Sequence, residues 1–192
     1  MSKKILVIST SPRKGGNSDA LADAFVRGAQ EAGNQVEKVT LYDKTIGFCR
    51  GCLTCQSTGH CVIRDDAAAI ARKMGAADVI AFATPIYYYG MCGQMKTMLD
   101  RANPLFAADY QFRDIYLLSA AAEEDEHTVD GAVTGLMGWI DPKRLQIPKT
   151  GDSSVLGLWG ISLCTSLAGC LALTTWQIRR RREEESLQII EK

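Results

Sequence analysis

The chain opens on a near-continuous aliphatic run, Ile5-Leu6-Val7-Ile8, which predicts a strand covered on both faces. Leu21, Phe25, Gly28, Ala29 and Ala32 then recur with the period of one helix face, and Gly33-Asn34 supplies the stop. Val36, Val39 and Leu41 predict a second strand. Asp65-Asp66 opens a second helix carrying Ile70 and Met74, since acids suit the positive end of a helix dipole. Residues 78–83 predict a third strand, 93–102 a helix, 114–120 a fourth strand and 128–140 another helix. Strands that alternate with helices must pair in parallel through crossovers. The fold expected is α/β, a doubly wound parallel sheet between two helical layers.

The pattern changes after Asp141. Residues 153–178 carry no charged side chain and include Leu156, Leu158, Trp159, Ile161, Leu163, Leu167, Leu171, Leu173 and Trp176. Such a run is long enough to cross a hydrocarbon core of roughly 30 Å as a helix. Arg179–Arg182 close it at once, and Glu183–Glu185 follow. The alternative is a buried last helix of the preceding domain. The expected division is therefore a domain at 1–141, a linker at 142–152, a transmembrane helix at 153–178 and a charged tail at 179–192. At the other end, Lys3 and Lys4 precede only a short apolar run, which makes no secretion signal.

Length and charge narrow the class. With 192 residues there is room for one ordinary domain and little more. The 22 basic and 22 acidic side chains balance, so no global positive field would attract nucleic acid. An apolar content of 46% argues for a packed core. Seven cysteines are an odd number, and four of them crowd between Cys49 and Cys61. That is the spacing of a metal or redox cluster rather than of a disulfide framework.

Three loops carry candidate chemistry. The first, Ser9-Thr10-Ser11-Pro12-Arg13-Lys14-Gly15-Gly16-Asn17-Ser18, joins the first strand to the first helix. Small residues there let backbone N–H groups approach an anion, the helix N-terminus adds positive charge, and Arg13 offers a charged fork. It is neither a Walker loop nor G-x-G-x-x-G. A plain turn capped by Asn17 or Ser18 is the bland alternative. The second loop, Thr84-Pro85-Ile86-Tyr87-Tyr88-Tyr89-Gly90-Met91, leaves the third strand, and its aromatic edges suit a flat heterocycle. The third, Ser119-Ala120-Ala121-Ala122-Glu123, leaves the fourth strand and permits close approach. All three belong on one sheet edge, where doubly wound folds bind ligands.

These motifs resemble a known family. Ser11-Pro12-Arg13-Lys14-Gly15-Gly16-Asn17-Ser18, the run Cys49-x2-Cys52-x2-Cys55-x5-Cys61 with Asp65-Asp66, then Thr84-Pro85-Ile86-Tyr87 and Lys96-x2-Leu99-Asp100-Arg101 look like the flavodoxin-like NADPH-dependent FMN reductases. The likeness covers about residues 3–140 and is strongest to the branch that includes the iron–sulfur flavoproteins. It implies FMN, with its phosphate at Ser9, Ser11, Arg13, Asn17 and Ser18. The ring would lie against Pro85, Ile86, Tyr87, Tyr88, Tyr89 and Gly90, with Ala120 and Ala121 on its far side. NADPH or NADH would be the co-substrate, and a homodimer the assembly. Hydride and electron transfer are then the flavin's chemistry, so no catalytic side chain is named. His127, after a run of acids, reads as a solvated helix-start residue before it reads as a proton donor.

Cys49, Cys52, Cys55 and Cys61 leave three readings open. Three thiolates spaced two apart can wrap one face of a cubane, with the fourth arriving from nearby chain. This run departs from the bacterial ferredoxin pattern, because five residues separate the last pair and no proline follows Cys61. Four thiolates also make a closed zinc site. The third reading is a set of reduced thiols without metal. The iron–sulfur flavoprotein resemblance implies a 4Fe–4S cluster.

The tail resembles something else. Ile147-Pro148-Lys149-Thr150-Gly151, the apolar span and the arginines look like a Gram-positive cell-wall sorting signal with Ile in place of Leu. It stands where a flavodoxin-like fold has its fifth strand and last helix, so both are expected to be missing. An arginine cluster prefers the cytoplasmic side of a membrane, whereas four vicinal thiols belong in a reducing cytosol. The expectation is a cytoplasmic flavin domain tethered through the C-terminal helix, with the cell wall disfavoured. Functionally the chain is expected to be an FMN-dependent NAD(P)H oxidoreductase that passes electrons to a quinone, a flavin, an electron carrier or the cysteine-bound cluster. The alternatives are a non-catalytic membrane-tethered redox module, or a truncated or fused gene product with a wall-anchor tail.

Overall fold

The computed structural model describes residues 2–140. The linker at 142–152, the apolar span at 153–178, the charged tail at 179–192 and any fifth strand or last helix beyond 140 lie outside the described residues. Among the described residues no helix is long and apolar enough to cross a membrane.

Strand β1 (Lys4–Ser9) leads to α1 (Asn17–Glu31), then β2 (Gln35–Thr40). After the cysteine segment with its short helix α2 (Thr54–Thr58) come α3 (Asp66–Ala76), β3 (Val79–Tyr87) and β4 (Gly90–Met91). Helix α4 (Gly93–Arg101), β5 (Asp114–Ala120) and α5 (Asp130–Trp139) complete it. The sheet runs β2-β1-β3-β5, all parallel, and β4 turns back antiparallel on β3. The strand order reverses beside β1, which makes its carboxyl end the switch point.

Along β1 and β3 successive positions alternate between two apolar faces. Leu6, Ile8, Ile80 and Phe82 pack on Ile70 and Met74 of α3, Met95 and Met98 of α4, and Leu136 of α5. Ile5, Val7, Val79, Ala81 and Ala83 meet Ala22 of α1, with Phe25 and Val26 at the margin. Both faces of β1 and β3 are thus covered, as their unbroken apolar runs require. Each fully buried side chain such as Phe82 or Met74 adds about 1.5–3 kcal/mol through burial.

Two elements differ from the sequence expectation. The third strand does not stop at Ala83: Thr84, Pro85 and Ile86 are buried strand residues, and Pro85 pairs with Ala120. Proline is tolerated because this strand end has β5 on one side only for that stretch. The intended ring loop shrinks to Tyr88-Tyr89, a two-residue hairpin that joins Tyr87 to its partner Gly90. The cysteine segment, for which the periodicity predicts no element, contains the single turn α2.

Candidate flavin site and sulfur pocket

Register places the three loops together. Ser9 ends β1 between Thr40 and Ala83, and Pro85 ends its pairing opposite Ala120. The Thr10 N–H donates to Ala83 O at 2.8 Å, which ties the first loop to β3. A buried knot lies beneath both. Cys92 Sγ donates to Thr10 O at 3.2 Å and lies 3.3 Å from Thr10 Oγ1, while Thr84 Oγ1 accepts the Cys92 N–H at 3.2 Å. Thr10, Thr84 and Cys92 are all fully buried.

The first loop is held from within. Ser9 Oγ donates to Asp19 Oδ1 at 2.7 Å, and the Gly15 N–H donates to Asp19 Oδ2 at 3.2 Å. Lys38 Nζ stands 2.8 Å from Asp19 Oδ1. Burial disfavours the Asp19 carboxylate, but Lys38, Ser9 and the Gly15 N–H outweigh it and hold the carboxyl below its ordinary range. Ser11 Oγ donates to Arg13 O at 2.8 Å. The Ser9 and Ser11 hydroxyls therefore build the loop itself. Gly15 takes φ +68°, which glycine adopts freely.

What stays open is the start of α1. Its N-cap is Gly16, and no side chain caps it. The leading N–H groups of a helix have no intrahelical acceptor, so this end is an anion site by construction. Exposed Arg13 and Asn17 flank it, and Ser18 is buried in its first turn.

On the neighbouring strand, Tyr88 and Tyr89 both adopt left-handed backbone, φ 49° and 62°. A two-residue hairpin turn of type I′ demands positive φ at both centres, ordinarily met by Asn-Gly. Two tyrosines there are strained and must be held by their surroundings. Tyr88 is fully exposed, Tyr87 and Tyr89 about half so. Gly131 of α5 abuts the Tyr89 carbonyl so closely that a Cβ would lie 2.3 Å from its oxygen. Ala120 is half-buried at the end of β5 and Ala121 exposed beyond it. His127 is exposed and its Nδ1 lies 2.9 Å from Asp130 Oδ2. A cleft of about 720 Å³ along Leu99, Phe106, Phe112 and Trp139 touches neither the first loop nor the tyrosine hairpin.

The four clustered cysteines line one pocket, together with Arg101 and Asn103. Among the described residues no three His, Cys, Asp or Glu side chains stand close enough together to hold a metal ion. Hydrogen-bond donors nonetheless reach three of the four sulfurs. Asn103 Nδ2 donates to Cys55 Sγ at 3.2 Å, and the Gly51 N–H donates to Cys49 Sγ at 3.4 Å. The hydroxyl and N–H of Thr54, with Arg50 nearby, lower the Cys52 pKa. Arg101 and Asp65 form a bidentate pair at 2.6 and 2.8 Å at the base of the segment. By chemistry, four thiols lining one pocket are the donor set of a thiolate-held group.

Sheet order and switch-point loops together place the chain in the flavodoxin-like class of α/β proteins. Within that class it belongs to the NADPH-dependent FMN reductase family, whose profile matches residues 3–144. An iron–sulfur flavoprotein of Archaeoglobus fulgidus is 41% identical over 101 residues, 53% of this chain and 46% of that protein. One from Methanocaldococcus jannaschii is 38% identical over 102 residues, 53% of each. The chain thus spans about half the length of the curated relatives it matches. In fold it matches an NAD(P)H:quinone oxidoreductase from Methanothermobacter marburgensis, with TM-score 0.57 at 17% identity over 71% of this chain and 76% of that one.

Proposed function

We propose that this chain binds FMN across the carboxyl ends of β1, β3 and β5 and serves as an NAD(P)H-dependent oxidoreductase toward a small-molecule acceptor. The uncapped start of α1 carries the reading, because it opens on the same edge as the tyrosine hairpin. The N–H groups of that helix end, with Arg13, Asn17 and Ser18, would bind the phosphate. Asp19, locked by Lys38 and Ser9, keeps the loop around them in shape. Pro85 and Ile86 lie buried in the strand, so their backbone rather than their side chains would meet the ring, with Tyr87, Tyr88, Tyr89 and Gly90 above and Ala120 and Ala121 beside it. The flavin, once bound, supplies the hydride and electron chemistry. A homodimer belongs to the same reading, since a second copy would cover the exposed tyrosines.

We further propose that Cys49, Cys52, Cys55 and Cys61 hold an iron–sulfur cluster, as the names of the relatives indicate for those proteins. Iron and sulfide in equal amounts after anaerobic reconstitution would support it, and zinc or neither would remove it.

Flavin binding is tested by titrating the protein with FMN and with riboflavin. Arg13→Ala is expected to weaken FMN about tenfold, the scale of one charge-assisted phosphate contact, and to leave riboflavin unchanged. Equal losses for both flavins would contradict the phosphate assignment. A pure electron carrier is the second reading, favoured by the sulfur pocket. It would consume NAD(P)H no faster than free FMN does.

A further inference from the structure

The guanidinium of Arg101 has five N–H donors, and four are accounted for. Nη1 donates to Asp65 Oδ2 at 2.6 Å and to Gly47 O at 2.7 Å. Nη2 donates to Asp65 Oδ1 at 2.8 Å and to Ile63 O at 3.2 Å. Gly47 lies two residues before Cys49 and Ile63 two after Cys61, so one side chain grips both ends of the cysteine segment. Asp65 completes the grip by accepting the Gly47 N–H at 2.8 Å and capping α3 through the Ala67 N–H at 3.1 Å. The fifth donor, Nε, is buried and without a hydrogen-bond partner among the described residues. The side chain is fully buried and lines the pocket that holds all four thiols. Its hydrogen bonds to Asp65 raise its pKa against burial, and Cys61 adds a hydrogen-bonding and charge contribution of its own.

A buried donor left unpaired is costly and rare in a folded chain. Among the described residues no protein oxygen accepts from it, because the two backbone carbonyls and the carboxylate lie on the terminal nitrogens. We propose that Arg101 is a positioning residue of the sulfur pocket. It fixes the mouth of the cysteine segment with four donors, and its Nε donor is kept for a cysteine sulfur when the pocket is filled. This rests on the reading that the four cysteines bind a thiolate-held cluster. Hydrogen bonds to cluster sulfur raise the reduction potential, so Arg101 governs both loading and potential while lying outside the flavin edge.

The test uses anaerobically reconstituted wild type, Arg101→Lys and Arg101→Gln, with iron and sulfide counted per chain, the cluster midpoint titrated and FMN affinity measured. Arg101→Lys keeps a charge for Asp65 but loses the fork. It is expected to lower iron content severalfold, to move the midpoint of the remaining cluster to more negative potential and to leave FMN affinity within twofold. Loading and midpoint equal to wild type would overturn the inference and spare the cluster reading. A wild type that takes up no iron and sulfide would remove that reading and this one together. Should neither variant fold, chain carrying Arg50→Lys and guanidino-15N arginine decides. Electron–nuclear double resonance of its reduced cluster should show a nitrogen coupling from Arg101, and no coupling overturns the proposal.

Discussion

Replacing Gly131 by alanine is expected to weaken flavin binding by about tenfold to a hundredfold, the equivalent of roughly 1–3 kcal/mol of overpacking. The obstacle is backbone: the new Cβ would sit 2.3 Å from the Tyr89 oxygen and 3.2 Å from its carbonyl carbon. No rotamer change can relieve such a contact. Either α5 lifts or the hairpin turns, and the hairpin already holds two tyrosines at positive φ. Its strained geometry persists only while its neighbours fix it. Because the displaced element is the proposed ring cover and not the proposed phosphate loop, FMN and riboflavin should lose affinity alike, in contrast to Arg13→Ala. Gly28→Ala is the control. A Cβ there meets nothing within 4 Å, so the variant should bind flavin normally and gain slightly in helix stability. Unchanged riboflavin affinity in Gly131→Ala would refute the role given to the hairpin.

Asp65→Asn should destabilise the domain by about 3–5 kcal/mol at neutral pH, the usual consequence of stranding a buried charge. Arg101 would remain fully buried with its fork half-answered. Urea denaturation measures the loss, and a variant as stable as wild type would show the pair to be dispensable. The pH profile gives a second check. Burial raises the Asp65 pKa, but Arg101 and the N–H groups of Gly47 and Ala67 lower it further, for a net depression. A depressed carboxyl contributes stability that is complete above its unfolded pKa of about 3.9 and is lost as pH falls through the folded value. Asp19, depressed by Lys38 and Ser9, acts in the same direction. Wild type should therefore lose stability steeply below about pH 4, and Asp65→Asn should show a shallower acid limb.

Much of the sheet was legible because Ile5–Ile8 and residues 79–83 are apolar without interruption, as a strand buried on two faces requires. The three loops could be placed on one edge from strand alternation alone. The hairpin could not, since its turn lacks the Asn-Gly signal and Pro85 discourages extending the strand through it. Ser9 and Ser11 entered as phosphate ligands only through the family resemblance, and nothing in the local sequence pairs either hydroxyl with a partner. That Asp19, eight residues past Ser11, engages the Ser9 hydroxyl depends on the helix folding back toward Lys38 of the next strand. Arg101 and Asp65 were visible as residues but not as partners, for they are 36 positions apart. The membrane span and the sorting motif fall on residues beyond 140, outside the described residues.

The knot of Thr10, Thr84 and Cys92 has a consequence for thiol chemistry. Cys49 and Cys52 lie at the surface and Cys61 is half-covered, whereas Cys92 is sealed under both flavin loops. A disulfide reagent added to the metal-free chain should modify the first three within the mixing time. Cys92 should react only as often as β1 and β3 part at their carboxyl ends. Its labelling rate then works as a clock for the opening of the flavin edge, and FMN should slow that clock without touching the fast thiols.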